Sequence, residues 1–344
     1  MSASPVPPAI AELPPSSWLV TGVAGFIGSH LLEALLLAGQ DVVGLDDFST
    51  GTRRNLDDVR RSVGAAWSRF RLVEGDLRSA ADCAAALDGV DYVLHQAALN
   101  SVPRSVRQPT LITEVNVGGS VQLLDSAMRR GGVRRVVCAS SSSVYGDTPA
   151  VVRREDDLGT LLSPYAASKR AVELYCDAFS SVSGISTVCL RYFNVLGRRQ
   201  NQEGPYSAVI PRWTRHLLAG ERPELHGDGT QSRDFTDVRN VVRANLLAAI
   251  APGARGPVNV ATGRSTELSR VYRLVRREVA AALDDPSLLA VEPRRTPRRA
   301  GDVHSAEGDL TRARDVLGYQ PLVSLEEGLP DAIRWFAGDR AVSG

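Results

Sequence analysis

The sequence predicts an α/β fold in which a doubly wound parallel sheet is followed by a smaller C-terminal α/β lobe. Three observations predict it. The 344 residues correspond to about two domains. Hydrophobic residues make up 43% of the chain, which is enough for a large core. Short apolar runs alternate with helical segments over the first half of the chain. This alternation is typical of a parallel sheet covered by helices on both faces.

Six short apolar or β-branched runs predict the strands of this sheet, and four longer segments predict the helices between them. In chain order the predicted elements are strand Trp18–Thr21, helix Phe26–Ala38, strand Asp41–Leu45, strand Phe70–Glu74, helix Ala80–Leu87, strand Tyr92–His95, helix Thr110–Arg130, strand Arg135–Ala139, helix Pro164–Ser181 and strand Thr187–Arg191. We expect ligands at the carboxyl ends of these strands.

Changes in composition divide the chain into three parts. Residues 1–15 contain five prolines and no basic residue, which predicts a disordered arm. Residues 16–191 contain the predicted sheet. Residues 192–344 are richer in glycine and proline and form mainly the second lobe, which binds the substrate, although the pattern leaves open a return of the chain between the lobes. The helices predicted there are Val209–Ala219, Val238–Ala251, Glu267–Leu283 and Leu325–Phe336.

The charge balance and the scarce residue types exclude several classes of protein. Forty Lys and Arg residues against 39 Asp and Glu residues give a net charge of +1, without the basic excess of nucleic-acid binders. No apolar stretch approaches a membrane span, and no signal peptide is recognisable, so we expect a cytoplasmic protein. The four cysteines form no CxxC pair and the five histidines are scattered, so no metal site is predicted.

A glycine-rich turn joins the first predicted strand to the first helix. Gly22, Gly25 and Gly28 have the spacing G-x-x-G-x-x-G, which lets the backbone approach a pyrophosphate at the helix N-terminus. The next strand leads into Asp46, whose carboxylate can accept hydrogen bonds from ribose hydroxyls and would repel a 2′-phosphate. Together these features indicate a Rossmann-type domain that binds NAD rather than NADP. The alternative for Asp46 is an ordinary acid in a loop.

The single lysine of the chain lies near a candidate base. Ser163 is a good N-cap and Pro164 suits the first helical position, so a helix begins here. Tyr165 and Lys169 are four residues apart and share one face of this helix. An ammonium beside a phenol lowers the pKa of the phenol toward neutrality, which makes Tyr165 a candidate general base. Surface Tyr–Lys pairs with this spacing are common, so the functional interpretation of this pair depends on the glycine turn upstream.

A run of four serines, Ser140 to Ser143, follows the fifth predicted strand at its carboxyl end. Hydroxyls at this place can hold a substrate oxygen and share its proton with Tyr165. Taken alone, the run favours an ordinary serine-rich loop.

With these motifs the sequence resembles the extended short-chain dehydrogenases/reductases of the NAD-dependent epimerase/dehydratase family, from about Trp18 to Phe336. Within the family it is most similar to bacterial UDP-N-acetylglucosamine 4-epimerases. The resemblance rests on the segments TGVAGFIG, GLDDFSTG, EGDLR, HQAALNSVPRS, SSSSVYGD, SPYAASK, LRYFNVLGRRQ, SAVIPRW, GDGTQSRDF and RRAGDV.

The resemblance implies an NAD site along the carboxyl edge of the sheet. Asp76 and Leu77 are expected to flank the adenine, and Lys169 is expected to bind the nicotinamide ribose as well. The cofactor-binding residues it implies are Gly22, Gly25, Phe26, Ile27, Gly28, Asp46, Asp47, Ser49, Thr50, Gly51, Asp76, Leu77, Gln96, Ala97, Ala98, Asn116, Tyr165, Lys169 and Tyr192.

The resemblance also implies the catalytic residues Ser141, Tyr165 and Lys169. Serines follow Ser141 where dehydratases of the family carry an Asp-Glu pair and decarboxylases a Glu, which disfavours both reactions. Arg233 and Arg299 match arginines that hold the diphosphate. The substrate-binding residues it implies are Ser101, Ser142, Ser143, Asn194, Val209, Arg233, Arg299, Asp302 and Ala306.

Two positions bear on the sugar. Asn194 replaces a Thr that is frequent in uronate-specific relatives, so a neutral hexose is expected. Ala306 stands where glucose-restricted relatives carry a Tyr, so it leaves room for a 2-acetamido group. The expected activity is therefore the 4-epimerisation of UDP-GlcNAc and UDP-GalNAc, with UDP-glucose and UDP-galactose also admitted, by transient hydride transfer to NAD through a 4-keto intermediate.

Other activities stay open at this point. One alternative is a 4-epimerase or an oxidoreductase that acts on another nucleotide sugar, such as UDP-glucuronate or a sugar of specialised metabolism. A second alternative is an NAD-binding regulator without catalysis, which the retained Ser141, Tyr165 and Lys169 disfavour. By resemblance we expect a homodimer that pairs the helices Thr110–Arg130 and Pro164–Ser181.

Overall fold

The structure is a computed structural model that describes residues 4–201, 208–297 and 303–343, with side chains up to residue 338. The predicted substrate residues Arg299 and Asp302 lie outside the described residues.

The described residues form strands and helices in alternation. The strands are β1 Ser17–Thr21, β2 Asp41–Asp46, β3 Phe70–Glu74, β4 Tyr92–His95, β5 Arg135–Ser141, β6 Val152–Arg153, β7 Ser186–Tyr192, β8 Asn194–Leu196, β9 Glu224–His226, β10 Ser232–Asp237, β11 Gly256–Val260, β12 Ser265–Glu267, β13 Arg294–Thr296 and β14 Ser305–Gly308. The α-helices are α1 Pro8–Ala11, α2 Phe26–Leu37, α3 Arg53–Val63, α4 Ala80–Ala86, α5 Val102–Arg107, α6 Pro109–Thr113, α7 Gly119–Arg130, α8 Pro164–Ser183, α9 Val209–Leu218, α10 Val238–Ile250, α11 Leu268–Leu283, α12 Thr311–Leu317 and α13 Leu325–Ser343.

The main sheet confirms the predicted fold class. Its seven strands follow the order β11-β7-β5-β4-β1-β2-β3, and every neighbouring pair is parallel. The chain runs outward from β1 in one direction and then from β4 in the other. Because the order reverses between β1 and β4, the crevice at their carboxyl ends is the expected place for a ligand.

Two hydrophobic cores cover the faces of this sheet. Side chains alternate along β1, so that Trp18 and Val20 enter one core and Leu19 the other. Helices α2, α3, α10 and α12 contribute to the first core, and α4, α7 and α8 contribute to the second. This is the two-sided helical cover that the strand–helix alternation predicts.

Two elements of the second half of the chain return to the main sheet. Strand β11 pairs with β7 and forms the edge of the sheet, and α10 packs Val241 and Val242 into the first core. Residues 192–344, predicted to form mainly the second lobe, therefore contribute to both lobes. The sequence pattern leaves this return open because strand pairing between distant segments has no local signal.

The prediction of a disordered arm is wrong for residues 4–15. Residues Pro8–Ala11 form a short helix, and Ile10 is fully buried in the first core with Trp18. The Gln40 side-chain oxygen accepts hydrogen bonds from the Trp18 indole at 3.1 Å and from the Ser16 amide at 3.0 Å. Burial of one isoleucine favours order here, and the prolines reduce the backbone entropy that ordering costs.

The second lobe is built on a smaller sheet with the order β12-β10-β14-β6, to which β8 adds by pairing with β10. Helices α9, α11 and α13 share a third core, in which the rings of Trp213 and Tyr272 meet edge to face at 5.4 Å. Because β8 follows β7 after one residue, its ladder with β10 joins the two lobes directly. Among the described residues, no helix has the length and apolar character to cross a membrane.

Candidate active site

A cleft of about 1530 Å³ lies between the carboxyl edge of the main sheet and the second lobe. Nearly all described candidate residues line it. From the first lobe these are Gly22, Gly25, Phe26, Ile27, Gly28, Asp46, Asp47, Ser49, Thr50, Gly51, Asp76, Leu77, Gln96, Ala97, Ala98, Ser101, Ser141, Ser142, Ser143, Tyr165, Lys169 and Tyr192, and from the second part of the chain they are Asn194, Val209 and Arg233. Asn116 and Ala306 do not line the cleft.

The glycine turn is shaped by close backbone contacts. Gly22 has a positive φ of 66° and donates its amide proton to the Leu45 carbonyl at 2.8 Å. A Cβ on Gly28 would clash with the carbonyl oxygen of Gly22 and stand 2.8 Å from its carbonyl carbon. Helix α2 then begins at Phe26 without a side-chain cap. Its first amides therefore remain available to an anion in the cleft.

Asp46 braces this turn from the end of β2. One carboxylate oxygen accepts the Ala24 amide at 2.8 Å and the other accepts the Phe48 amide at 2.9 Å. Burial raises the pKa of Asp46, and these two hydrogen bonds oppose the rise. Each oxygen retains lone pairs for ribose hydroxyls. Asp46 therefore has a structural role that the sequence did not indicate, beside the predicted one.

The predicted adenine end of the cleft is formed by the turn after β3. The guanidinium of Arg78 pairs with the Asp76 carboxylate at 2.6 Å, and its hydrogen bonds hold the pKa of Asp76 below its usual range. Leu77 is buried in the second core but also reaches the cleft. A charged and an apolar side chain thus lie next to each other in this part of the cleft.

Asn116, which the resemblance implies as a cofactor-binding residue, lies behind the residues that line the cleft. It is buried in a π-helical turn, Glu114–Gly118, that interrupts the predicted helix Thr110–Arg130. Its amide oxygen accepts the Leu99 amide at 2.8 Å, and its amide nitrogen donates to the Leu99 carbonyl and to Ser168. Asn116 thereby fixes the loop after β4 against the helix that carries Tyr165.

His95, at the end of β4, supports the same loop. Its two ring nitrogens lie 2.7 Å from the Thr21 hydroxyl and 2.8 Å from the Ser120 hydroxyl. The Thr21 hydroxyl in turn accepts the Ala97 amide at 3.1 Å. Burial lowers the pKa of His95 to about 4, so it is neutral at physiological pH and has a structural role.

Ser141, Tyr165 and Lys169 converge where β5 meets the start of α8. The Ser163 hydroxyl caps α8 by accepting the Ala166 amide at 3.1 Å, which places Tyr165 in the first turn. The Lys169 ammonium donates to the Ala139 carbonyl at 2.9 Å. Lys169 is 6% exposed and Tyr165 is 9% exposed. The predicted triad is therefore assembled and shielded from bulk water.

The electrostatics of the triad differ from the sequence prediction. Burial raises the pKa of Tyr165, and a hydrogen bond with Ser141 offsets part of the rise. The Lys169 ammonium donates its hydrogen bond to the carbonyl of Ala139 rather than to this phenol. Burial also lowers the pKa of Lys169 itself, to about 8. The phenol thus needs a further positive charge in the cleft to act as a base near neutral pH.

The serine loop orients the hydroxyl of Ser141. The Ser143 amide donates to the Ser141 oxygen at 3.2 Å, and the Ser143 hydroxyl does so at 3.0 Å. Because this oxygen already accepts two hydrogen bonds, its own proton is directed outward, toward the Tyr165 phenol or a substrate oxygen. The serine run therefore orients the Ser141 hydroxyl and is not an ordinary serine-rich loop.

A buried ion pair holds the elements that carry the triad. Arg191 on β7 forms two hydrogen bonds of 2.8 Å with the carboxylate of Glu173 on α8. The same carboxylate accepts the Ser140 hydroxyl at 2.6 Å. Burial opposes ionisation of Glu173, but the charge of Arg191 and the hydrogen bonds from Arg191, Ser140 and Arg170 together keep the pKa of Glu173 below its usual range. Neither Arg191 nor Glu173 was singled out in the sequence, since an Arg and a Glu 18 positions apart give no pattern.

Two of the lining residues that the sequence did not indicate are Arg153 and Gln200. Arg153 lies in an Arg-Arg-Glu run that is typical of a solvated surface. Gln200 lies next to two arginines in a segment without periodicity. The four cysteines are buried free thiols, and no group of His, Cys, Asp and Glu side chains in the described part of the chain is arranged to hold a metal.

A family model described as "NAD dependent epimerase/dehydratase family" matches residues 18–261 of this chain. The chain belongs to this family. Its sheet, its glycine turn and its assembled triad all lie within or directly beside the matched region. The family requires NAD, and the cradle in which Gly28 leaves no space for a Cβ fits the pyrophosphate of that cofactor.

The similarity to several relatives indicates the activity of this NAD dependent epimerase more specifically than the family model does. It is 39% identical over 319 residues to a UDP-glucose 4-epimerase of Mycolicibacterium smegmatis, with 92% of this chain and 97% of the relative covered. A UDP-N-acetylglucosamine 4-epimerase from Methanobrevibacter ruminantium M1, solved with UDP-N-acetylmuramic acid, is 34% identical over 95% of this chain and all of that chain, with a TM-score of 0.85.

A third relative, MoeE5, has been solved with NAD and either UDP-glucose or UDP-glucuronic acid. It is 35% identical, covers 95% of this chain and 100% of its own, and has TM-scores of 0.78 and 0.79 in the two complexes. These likenesses identify the chain as an NAD-dependent enzyme among the nucleotide-sugar 4-epimerases.

We predict that Gly28→Ala weakens NAD binding by at least about tenfold, because the added Cβ displaces the start of α2 from the cofactor phosphates. The measurement is the NAD content of the purified protein together with its affinity for added NAD. Gly118→Ala is the matched control, since its Cβ would meet no atom nearer than 4.0 Å. Equal NAD affinity in the two variants would contradict the role of the turn.

Proposed function

We propose that the protein interconverts UDP-GlcNAc and UDP-GalNAc at carbon 4 and also accepts UDP-glucose and UDP-galactose. The observation that carries the sugar assignment is the position of Ala306. Ala306 on β14 is directly opposite Arg233 on β10, and Arg233 lines the cleft. Because opposite residues of paired strands share a face, a longer side chain at position 306 would project toward the cleft. Alanine leaves this space to a substituent of the sugar.

Gln200 supports an amide substituent. Its side-chain nitrogen donates to the Val195 carbonyl at 2.9 Å. Its side-chain oxygen is buried at the cleft and has no hydrogen-bond partner among the described residues. A buried acceptor without a donor is costly, and the N–H of a 2-acetamido group would supply one.

The triad supports reversible proton transfer at the sugar 4-hydroxyl. Tyr165 accepts the proton, directly or through Ser141, whose proton the serine loop directs outward. NAD, when bound, supplies the hydride acceptor and a positive charge that favours the phenolate. Lys169, whose ammonium is buried in the same part of the cleft, would bind the nicotinamide ribose and so keep the cofactor beside the phenol. The 4-keto sugar then turns about its diphosphate linkage, and Tyr165 returns the proton once the opposite face has been reduced.

Tyr165→Phe is expected to lower kcat by at least about 1000-fold while NAD stays bound, because general base catalysis typically contributes about 10²–10⁴-fold. Lys169→Arg is expected to lose activity as well, since a guanidinium cannot fit the place of the compact ammonium. Both variants are measured for turnover and NAD content. Tyr175→Phe, at an exposed tyrosine of the same helix, is the control. Wild-type kcat in Tyr165→Phe would refute the assignment of the base.

The substrate proposal is tested with UDP-GlcNAc, UDP-glucose and UDP-glucuronate, whose products are resolved by chromatography. We expect conversion of the first two. We expect Ala306→Tyr to reduce kcat/KM for UDP-GlcNAc by at least about tenfold more than for UDP-glucose, because the ring fills the space beside the sugar. Val152→Thr, at the exposed start of the neighbouring strand β6, is the control. An equal effect on both sugars, or preference for the uronate, would contradict the proposal.

UDP-glucuronate epimerisation is the second candidate, because MoeE5 has been solved with both UDP-glucose and UDP-glucuronic acid at similar likeness to this chain. Ser142 and Ser143 are neutral and would tolerate a carboxylate. Asn194 favours a neutral hexose. Stoichiometric NADH release during turnover would instead indicate net oxidation.

We further propose a homodimer formed through α7 and α8. Leu174, Tyr175 and Val182 on α8 are 54%, 43% and 79% exposed, which is unusual for apolar side chains on one helix. Light scattering is expected to give twice the mass of 36.9 kDa, and Leu174→Glu is expected to shift the protein toward the monomer. Leu37→Glu on α2, which replaces a comparably exposed leucine, is the control. A monomeric wild type would contradict the proposal.

A further inference from the structure

Two adjacent arginines at the end of β6 have opposite environments. Arg153 is 3% exposed and lines the cleft. The side chain of Arg154 is 69% exposed and faces Asp309 at 3.4 Å, outside the cleft. The same residue type is therefore buried at one position and solvated at the next, and only the buried one reaches the place where a substrate binds.

Among the described residues, Arg153 is buried without a counter-ion. Its guanidinium donates to the carbonyl of Thr148, and no carboxylate in the described part of the chain lies within ion-pair distance of it. A buried cation is costly unless it is paired. Arg191, another buried arginine of this region, shows the usual solution, because it has the carboxylate of Glu173. An anion from outside the chain would compensate Arg153 in the same way.

The small sheet brings Arg153 to the same face as Arg233. Arg153 lies opposite Gly308, and Arg233 lies opposite Ala306 two residues earlier on the intervening strand β14. Residues two apart on a strand share a face, as do residues directly opposite each other, so both guanidinium groups project toward the cleft.

The two guanidinium groups are close enough to repel. Burial lowers the pKa of Arg153, and the positive charge of Arg233 lowers it further. Arg233 also donates to the carbonyls of Ser232 and His304. The two cations face one cleft, and an anionic group between them would relieve both the repulsion and the burial cost of Arg153.

We propose that Arg153 is a further phosphate-binding arginine, which together with Arg233 holds the sugar-bearing phosphate of the nucleotide sugar. The inference rests on the proposed function for its ligand, a uridine diphosphate ester. A guanidinium can donate two parallel hydrogen bonds to a phosphate, so an anchor from β6 and one from β10 grip the diphosphate from two strands. The diphosphate thereby stays fixed while the 4-keto sugar turns.

The test compares UDP with UMP by calorimetry on the NAD-loaded enzyme. UMP has the nucleoside and the first phosphate but lacks the second. Arg153→Gln is expected to lower the affinity for UDP by at least about tenfold, equivalent to about 1.4 kcal/mol. The affinity for UMP is expected to fall by less than about threefold. Arg153→Lys, which keeps the charge but loses the fork, is expected to fall between the wild type and Arg153→Gln. Arg154→Gln is the matched control and is expected to bind both nucleotides like the wild type.

Three results would overturn the proposal. Equal weakening of UDP and UMP would indicate a structural role for Arg153 or a contact with the nucleoside. Unchanged UDP affinity with weakened UDP-GlcNAc binding would place Arg153 at the sugar. Unchanged affinity for all ligands would exclude any contact. If Arg153→Gln does not fold, the comparison of UDP with UMP in Arg153→Lys decides in the same way.

A different result would contradict the proposed function. If the wild type binds no UDP, the uridine assignment is wrong, and the same comparison is then made with dTDP and dTMP. A selective loss for the diphosphate would still support Arg153 as a phosphate-binding residue, and an equal loss would still refute it.

Discussion

The candidate active site depends on the buried contact between Glu173 and Arg191. Glu173 lies one helical turn after Lys169, and its carboxylate also accepts the hydroxyl of Ser140, the neighbour of Ser141. One carboxylate thus joins β5, β7 and α8, which are the elements that carry the triad. A buried ion pair of this kind contributes less to net stability than to geometry, because desolvation offsets most of the attraction. Loss of one partner would leave a buried charge and displace the helix that carries Tyr165.

The two ends of the cleft offer positive charge by different means. At the first lobe the free amides of α2 and the tight glycine turn offer partial charges from the backbone, which suit a cofactor pyrophosphate. At the second lobe the structure offers side-chain guanidinium groups, which suit a phosphate that must be held while its sugar moves. The direct ladder between β8 and β10 fixes the distance between these two ends. Ser141 and Tyr165, the residues proposed for catalysis, line the same cleft.

The sequence predicted most of the fold and the cofactor end of the site because their signals are local. The glycine spacing, the cap at Ser163 and the Tyr-x-x-x-Lys pair each lie within one turn or one helix. The strand–helix alternation can likewise be recognised from short stretches of sequence. The sequence left the return of β11 to the sheet open, and it did not indicate the burial of Ile10, because each depends on a contact with a distant segment. The resemblance implied that Asn116 binds the cofactor, whereas in the structure its side-chain amide forms hydrogen bonds with Leu99 and Ser168.

The sequence by itself determined that the chain has a doubly wound sheet, a dinucleotide turn and a single lysine on the same helical face as a tyrosine. Only the tertiary structure decided what these groups do to one another. The lysine was expected to lower the pKa of Tyr165, yet its ammonium donates to Ala139 and burial raises the pKa of the phenol. Likewise, nothing in the run Arg153–Arg154 distinguishes its two members. Burial and charge interactions depend on which surfaces are in contact in the fold, and they cannot be inferred from residues that are adjacent in the sequence.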